Sequence, residues 1–375
     1  MHPLRDLPLE QLRRRTSIKW REHGDDVLPL WVAEMDAHPV PAVVEAVDRA
    51  MRAGDSGYPA SVVPYAEAFA RFAADEWGWT PDPARAAMVA DVMTGVAEAI
   101  GLVTEPGGAV VVNPPVYPPF FGFVEHAGRR TVDAPLGPDG RLDLAALEAA
   151  YRSVGPGSAH LLSNPHNPTA VVHTRTELEH VAMLAADLGI TVVVDEIHGP
   201  LVAEGFVPYL SVAGTDTALV VTSASKGFNL AGLKAAVLLG GPHAPLTELH
   251  DMVSHGASHL AMIAHAAAYD HGRGWLHGLR ADLAENRRQV RAGLDRIDGS
   301  AWNGQSGTYL AWIDLTGVGL GDDPAAHLLD RARVALNSGL PFGAGGAGHV
   351  RLNYATTPEV LSEALDRMAR AVRDL

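Results

Sequence analysis

Cysteine is absent from all 375 residues, which excludes disulfides, thiolate metal sites and cysteine nucleophiles, and leaves the compartment unset by redox chemistry. No stretch approaches the roughly 18 consecutive apolar residues that a membrane-crossing helix needs. Met1 to Asp6 also lack an apolar signal core, so a cytoplasmic protein with no membrane partner is expected. Basic residues are the minority, 29 Lys and Arg against 44 Asp and Glu for a net charge of −15. That balance argues against nucleic acid as the main partner, and the isolated cluster Arg13-Arg14-Arg15 reads as a solvated helix end. Metal chemistry lacks its signatures as well. His255 and His259 have i, i+4 spacing, but no glutamate of an HExxH pattern stands between them, so no metal is expected. The histidines between His243 and His277 read instead as scattered positions on a long helix joining two domains. The glycine-rich run Gly339 to Gly346 lacks the Lys-Ser/Thr ending of a P-loop and reads as following a helix, which makes it a mobile loop near the substrate.

What remains is an ordinary globular composition, 47% apolar and 19% charged, in a chain long enough for two or three domains. Short Val-rich runs alternate with amphipathic segments, the pattern of βαβ packing. Pro41 to Met51 has helical spacing, with proline at its start and Gly54 beyond its end. Thr174-Arg175-Thr176-Glu177 reads as a capping box opening a helix that Gly189 closes. Three strand ends carry chemistry. Ala218 to Val221 leads into Thr222-Ser223-Ala224-Ser225-Lys226-Gly227, a small polar turn that exposes an amine. Thr191 to Val194 leads into Asp195-Glu196-Ile197-His198, and His160 to Leu162 leads into Ser163-Asn164-Pro165-His166-Asn167-Pro168. Carboxylates and amides after parallel strands lie where open α/β sheets bind ligands. An amine, a carboxylate with an imidazole, and an amide are the groups that pyridoxal phosphate (PLP) requires: a lysine for the Schiff base, an acid for the pyridine nitrogen and donors for the ring oxygen.

The ordered motifs NPHNP, DEIH and SASKGFNLAGL resemble the fold-type I PLP enzymes of the aspartate aminotransferase superfamily. With LWVAEMD, GYP, PPVYPPF and RLNYATT, the chain is most similar to the cystathionine β-lyase group, the MalY/PatB-type C–S lyases, from about Leu28 onward. The resemblance implies that Lys226 carries PLP as a Schiff base, that Asp195 pairs with the pyridine nitrogen and that Tyr117 stacks on the ring. It implies Asn167 and His198 at the ring oxygen, and Gly95, Val96, Ala97 and Ser223 at the phosphate. Tyr58 would reach the phosphate of a neighbouring subunit in a homodimer, and Arg351 would hold the substrate carboxylate beside Ala33, Asn167 and Tyr117. Four positions depart from the pattern: Glu34 where many members carry Asp, Ala170 for a usual Gly, Pro200 for a usual Asp, and Lys234 where aspartate-type aminotransferases carry Arg.

The implied architecture is α/β, PLP-dependent transferase fold type I, with a mainly parallel seven-stranded sheet flanked by helices in a large domain (41–275). A smaller α/β domain (276–375) is joined by the N-terminal segment (1–40). The implied reaction is PLP-dependent β-elimination from L-cystathionine or related L-cysteine S-conjugates, giving a thiol, pyruvate and ammonia. Transamination of an amino acid/keto acid pair would use the same residues. A PLP-binding regulatory protein without turnover would be expected to show an extra DNA-binding domain or a damaged Lys/Asp pair, and this chain has neither.

Overall fold

The Val-rich runs fold as strands buried along their whole length, as strands covered on both faces must be. The computed structural model describes residues 1–373. Its main sheet has seven strands, in spatial order Ala86–Val89, Ala236–Gly240, Leu219–Thr222, Thr191–Asp195, Ala159–Ser163, Ala109–Val112 and Arg130–Asp133. The last five run parallel to one another, and Ala236–Gly240 is antiparallel to both of its neighbours. Alternation along the strands feeds two cores. Val110, Val112, Leu161, Val193 and Val221 enter one, whereas Val111, Leu162, Val192, Val194 and Val220 enter the other.

Most expected helices are present. Pro41–Ala53 ends on Gly54 at φ +71°, and Arg175–Leu188 opens with the full Thr174/Glu177 capping box and closes on Gly189 at φ +67°. The single histidine-bearing helix is not. It is divided into Asp251–Ser254, His259–His271 and Arg273–Leu294, because Ser258 accepts the amide of Ala261 and starts a new helix. Gly272 stands at the second break, where a Cβ would lie 2.4 Å from the carbonyl of Ala268.

A second, antiparallel sheet holds Asn337–Ser338, His349–Asn353 and Leu310–Asp314. The N-terminal segment lies with it: Leu28–Pro29 pairs with Val334–Ala335, and buried Asp282 binds His2, Arg5 and the amide of Leu4. The glycine-rich run follows the short strand Asn337–Ser338 rather than a helix, and it folds into a 3-10 turn, Leu340–Phe342. Its Phe342 carbonyl accepts the amide of Val116 at 2.9 Å, which ties it to the proline-rich loop. Among the described residues no helix is long and apolar enough to cross a membrane.

Candidate active site

Parallel strands deliver the site because their carboxyl ends open on one side of the sheet. Asp195 is the last residue of its strand, Ser163 ends the neighbouring one, and Thr222 ends the next. After Thr222 the chain makes a single helical turn, Ala224–Gly227, which Ser223 caps by accepting the amide of Ser225. Lys226 thus sits on a fixed turn and not in an open loop. Gly227 is required there, since a Cβ would stand 2.7 Å from the ring of Pro200. Pro200 in turn gives its carbonyl to the Arg280 guanidinium at 2.8 and 3.1 Å, a packing role for one of the departing positions.

These ends surround a cavity of about 270 Å³ that collects Ala33, Tyr117, Asn167, Asp195, His198, Ser223 and Lys226. Lys226 Nζ donates to the carbonyl of Ala33 at 2.8 Å. Burial first, and then the charge of Arg351, push its amine down to about 8. Burial raises the Asp195 carboxyl to about 6, opposed by the amide of Ile197 and the charge of Lys226. Burial holds His198 well below the ordinary imidazole value, as do the Lys226 and Arg351 charges, and its Nδ1 has no protein partner. Burial likewise lifts the Tyr117 phenol.

Arg351 lies on the strand His349–Asn353, opposite Trp312. One Nη donates to Asn167 Oδ1 at 3.0 Å, the other reaches the carbonyl of Trp31 at 3.4 Å, and its Cζ stands 5.1 Å from the centre of the Phe342 ring. It is 4% exposed, its Nε is unpartnered, and burial brings the guanidinium down to about 10. Among the described residues no carboxylate forms an ion pair with it. A buried cation without an anion is costly, and the usual resolution is a charged partner.

One expectation is placed differently. Gly95, Val96 and Ala97 are inside a helix that starts earlier, Val92–Val103, because Asp91 caps it through the amide of Thr94. The Gly95 amide is spent on the carbonyl of Asp91, Val96 is core, and Gly95 is small because a Cβ would meet Val221 and Val89 at 2.8 Å. The first-turn amides without an intrahelical partner belong to Val92 and Met93, which line the cavity with Asp91. Tyr58, expected at the phosphate of a neighbouring subunit, is 88% exposed on the single chain.

Sequence reasoning missed Asp91, whose signal was its position just before an apolar helix. Lys234, one of the departing positions, lines the cavity and binds Asp91 Oδ2 at 3.1 Å. Tyr309, which donates to the Ala33 carbonyl at 2.9 Å, gave no signal inside an apolar strand-like run. Glu196 is buried and raised to about 8 mainly by burial. It accepts from the Tyr209 amide and Asn164, tying the NPHNP loop to the segment around Tyr209.

The donor set fits PLP. It offers a buried carboxyl that shares protons near neutrality, a partly buried amine with lowered proton affinity, unpaired helix amides beside Ser223, and an unmatched guanidinium. The family model "Aminotransferase class I and II" matches residues 25–368. A Mycobacterium leprae protein named "Putative cystathionine beta-lyase" is 49% identical, covering 99% of this chain and 98% of its own length. The Corynebacterium glutamicum protein named cystathionine beta-lyase is 34% identical, covering 96% of this chain and 98% of its own. A solved structure from Corynebacterium diphtheriae, described as a "putative plp-dependent beta-cystathionase", superposes with a TM-score of 0.93 at 34% identity, covering 98% of both chains.

Proposed function

The chain belongs to the class I and II aminotransferase family, and from that premise we propose that it is a PLP-dependent carbon–sulfur β-lyase of L-cystathionine or related L-cysteine S-conjugates. The observation that carries the amino-acid reading is Arg351, a buried guanidinium bonded to the cavity-lining Asn167 with no carboxylate of its own. An α-carboxylate is the anion it matches, through the planar fork that arginine offers to carboxylates.

Lys226 would hold the cofactor covalently, Asp195 would face its pyridine nitrogen, Asn167 and His198 its ring oxygen, and Tyr117 its ring face. Ser223 and the Val92 and Met93 amides would take its phosphate. Bound there, PLP supplies an electron sink for the pair left at Cα. Lys226, with its amine near 8, takes the Cα proton as a general base. The Cβ–S bond breaks with its electrons on sulfur, and the thiolate leaves with a proton from Lys226 or a tyrosine. One water then yields pyruvate and ammonia. The names of the relatives favour this fate over transamination, which would ask the same of every residue.

In this reading the enzyme is a cytoplasmic homodimer whose large lobe carries the seven-stranded sheet. Tyr58, exposed in the single chain, completes the phosphate seat of the partner. The test is pyruvate and ammonia released from L-cystathionine through many turnovers, without any keto acid. A single stoichiometric conversion to the pyridoxamine form, reversed by a keto acid, would make the protein an aminotransferase instead.

A further inference from the structure

Residues Trp31 to Met35 have no regular strand or helix, yet each carbonyl in this strap accepts two donors. Trp31 takes Asn337 Nδ2 and Arg351 Nη2, and Val32 takes Asn353 Nδ2 and the Glu34 amide. Glu34 takes Lys19 Nζ and Asn353 Nδ2, and Met35 takes Arg15 Nη1 and Asn229 Nδ2. Ala33 takes Lys226 Nζ at 2.8 Å and Tyr309 Oη at 2.9 Å. In two of these pairs one donor belongs to the site and must be free to serve it, Lys226 at Ala33 and Arg351 at Trp31.

Tyr309 is 1% exposed, and its ring meets His198 edge-on at 5.9 Å between centres. A carbonyl shielded from water and left without a donor is destabilising. If Lys226 alone satisfied Ala33, every excursion of the amine into the cavity would strand that oxygen. With Tyr309 in place the oxygen keeps one donor whichever way the lysine points. Two donors on one oxygen also divide its lone pairs, so each is held less tightly.

We propose that Tyr309 is a positioning residue of the site: its hydroxyl keeps the Ala33 carbonyl satisfied and thereby frees the Lys226 amine to move between the strap and the reacting atoms. This role rests on the Lys226 assignment above but not on whether the reaction is elimination or transamination.

Lys19, Lys226 and Lys234 are the only lysines of the chain, so 15N-lysine labelling gives three Nζ signals in the cofactor-free protein. In Tyr309→Phe, Lys226 becomes the sole donor to Ala33, and its pKa should rise by about half a unit as the ammonium is held harder. The rate at which the cofactor-free protein captures added PLP at pH 7.5, followed by visible absorbance, should fall about tenfold, the equivalent of about 1.4 kcal/mol. KM for L-cystathionine should stay within about twofold of wild type. Tyr354→Phe is the control, since that buried hydroxyl bonds Thr308 and not Ala33. Should the Phe variant fail to fold, 3-fluorotyrosine placed at Tyr309 is a stronger donor differing by one atom, and it should speed capture. An unchanged Lys226 pKa with unchanged capture in folded Tyr309→Phe, equal effects in Tyr354→Phe, or no acceleration by the fluorinated phenol would each overturn the proposal. Failure to release pyruvate would overturn the lyase reading and leave this result standing.

Discussion

Removing Arg351 tests the site most directly, because the structure gives the residue a cost as well as a use. If its fork receives the substrate carboxylate through two charge-assisted bonds of about 1.5–3 kcal/mol each, Arg351→Ala loses about 3–6 kcal/mol of binding. That corresponds to a drop of about 10² to 10⁴ in kcat/KM. Arg351→Lys keeps a charge but loses the fork, and the placement over Phe342 and against Asn167, so it should fall between the two, mainly in KM. The assay is release of free thiol, followed with a thiol-reactive chromogen to which this cysteine-free protein is blind, with L-cystathionine and its amine analogue decarboxylated at the cysteine moiety compared in each variant. The analogue, lacking the carboxylate, should be turned over no worse by Arg351→Ala than by wild type. Stability should move the other way. A buried guanidinium that meets no protein carboxylate is a liability, so Arg351→Met should leave the cofactor-free protein as stable or about 1 kcal/mol more stable in urea. A folded Arg351→Ala variant with kcat/KM within about fivefold of wild type, or an equal loss on the amine analogue, would refute the assignment.

Three other outcomes follow from the charges around the cavity. Below its pKa of about 8, the neutral fraction of Lys226 grows tenfold per pH unit. The rate of PLP capture by cofactor-free protein should therefore climb from pH 6 toward 8 and then level, and a profile flat to pH 10 would remove the amine from the reaction. Lys234→Ala leaves the Asp91 carboxylate uncompensated at the helix start. PLP affinity should weaken about fivefold, given the exposure of the pair, and adding Asp91→Asn should restore most of it; equal losses in single and double variants would contradict a shared charge. Glu196, raised to about 8 when folded, keeps its proton in the native state while the unfolded chain releases it near the ordinary glutamate value. Its folded form therefore loses stability as pH rises from about 4.5 toward 8. Glu196→Gln can keep the bonds from the Tyr209 amide and Asn164, and should flatten that slope in urea unfolding of the cofactor-free protein.

Departures at the loop ends show how local and distant causes combine. Ala170, where the resembling family has glycine, adopts φ +57° and is fully buried, and its carbonyl accepts the amide of Gly307 at 2.8 Å. The NPTA motif marked the position, but the strain appears only when the NPHNP loop is folded against residue 307. Pro200 is similar: the substitution is visible in the sequence, and its contacts with Gly227 and Arg280 are not.

The sequence by itself determined three neighbouring strands of the sheet and several capped helices, because continuous apolar runs and caps are local patterns with a local cause; the seven-stranded sheet is only what the resemblance implies. It also determined the identity of Lys226, Asp195 and Asn167 as candidates, since Asp195 ends such a run and the other two lie in the polar turns just beyond one. The helix start at Val92 and not at Gly95 was also local, since Asp91 caps it three residues ahead of Thr94. Only the tertiary structure joined Arg351 to Asn167 across 184 positions, or set Tyr309 beside Lys226 on one carbonyl. Hydrogen bonds to an irregular strap carry no periodicity, so no spacing along the chain announces them. They exist because buried carbonyls must find donors, and which donors arrive is settled by how the two sheets pack.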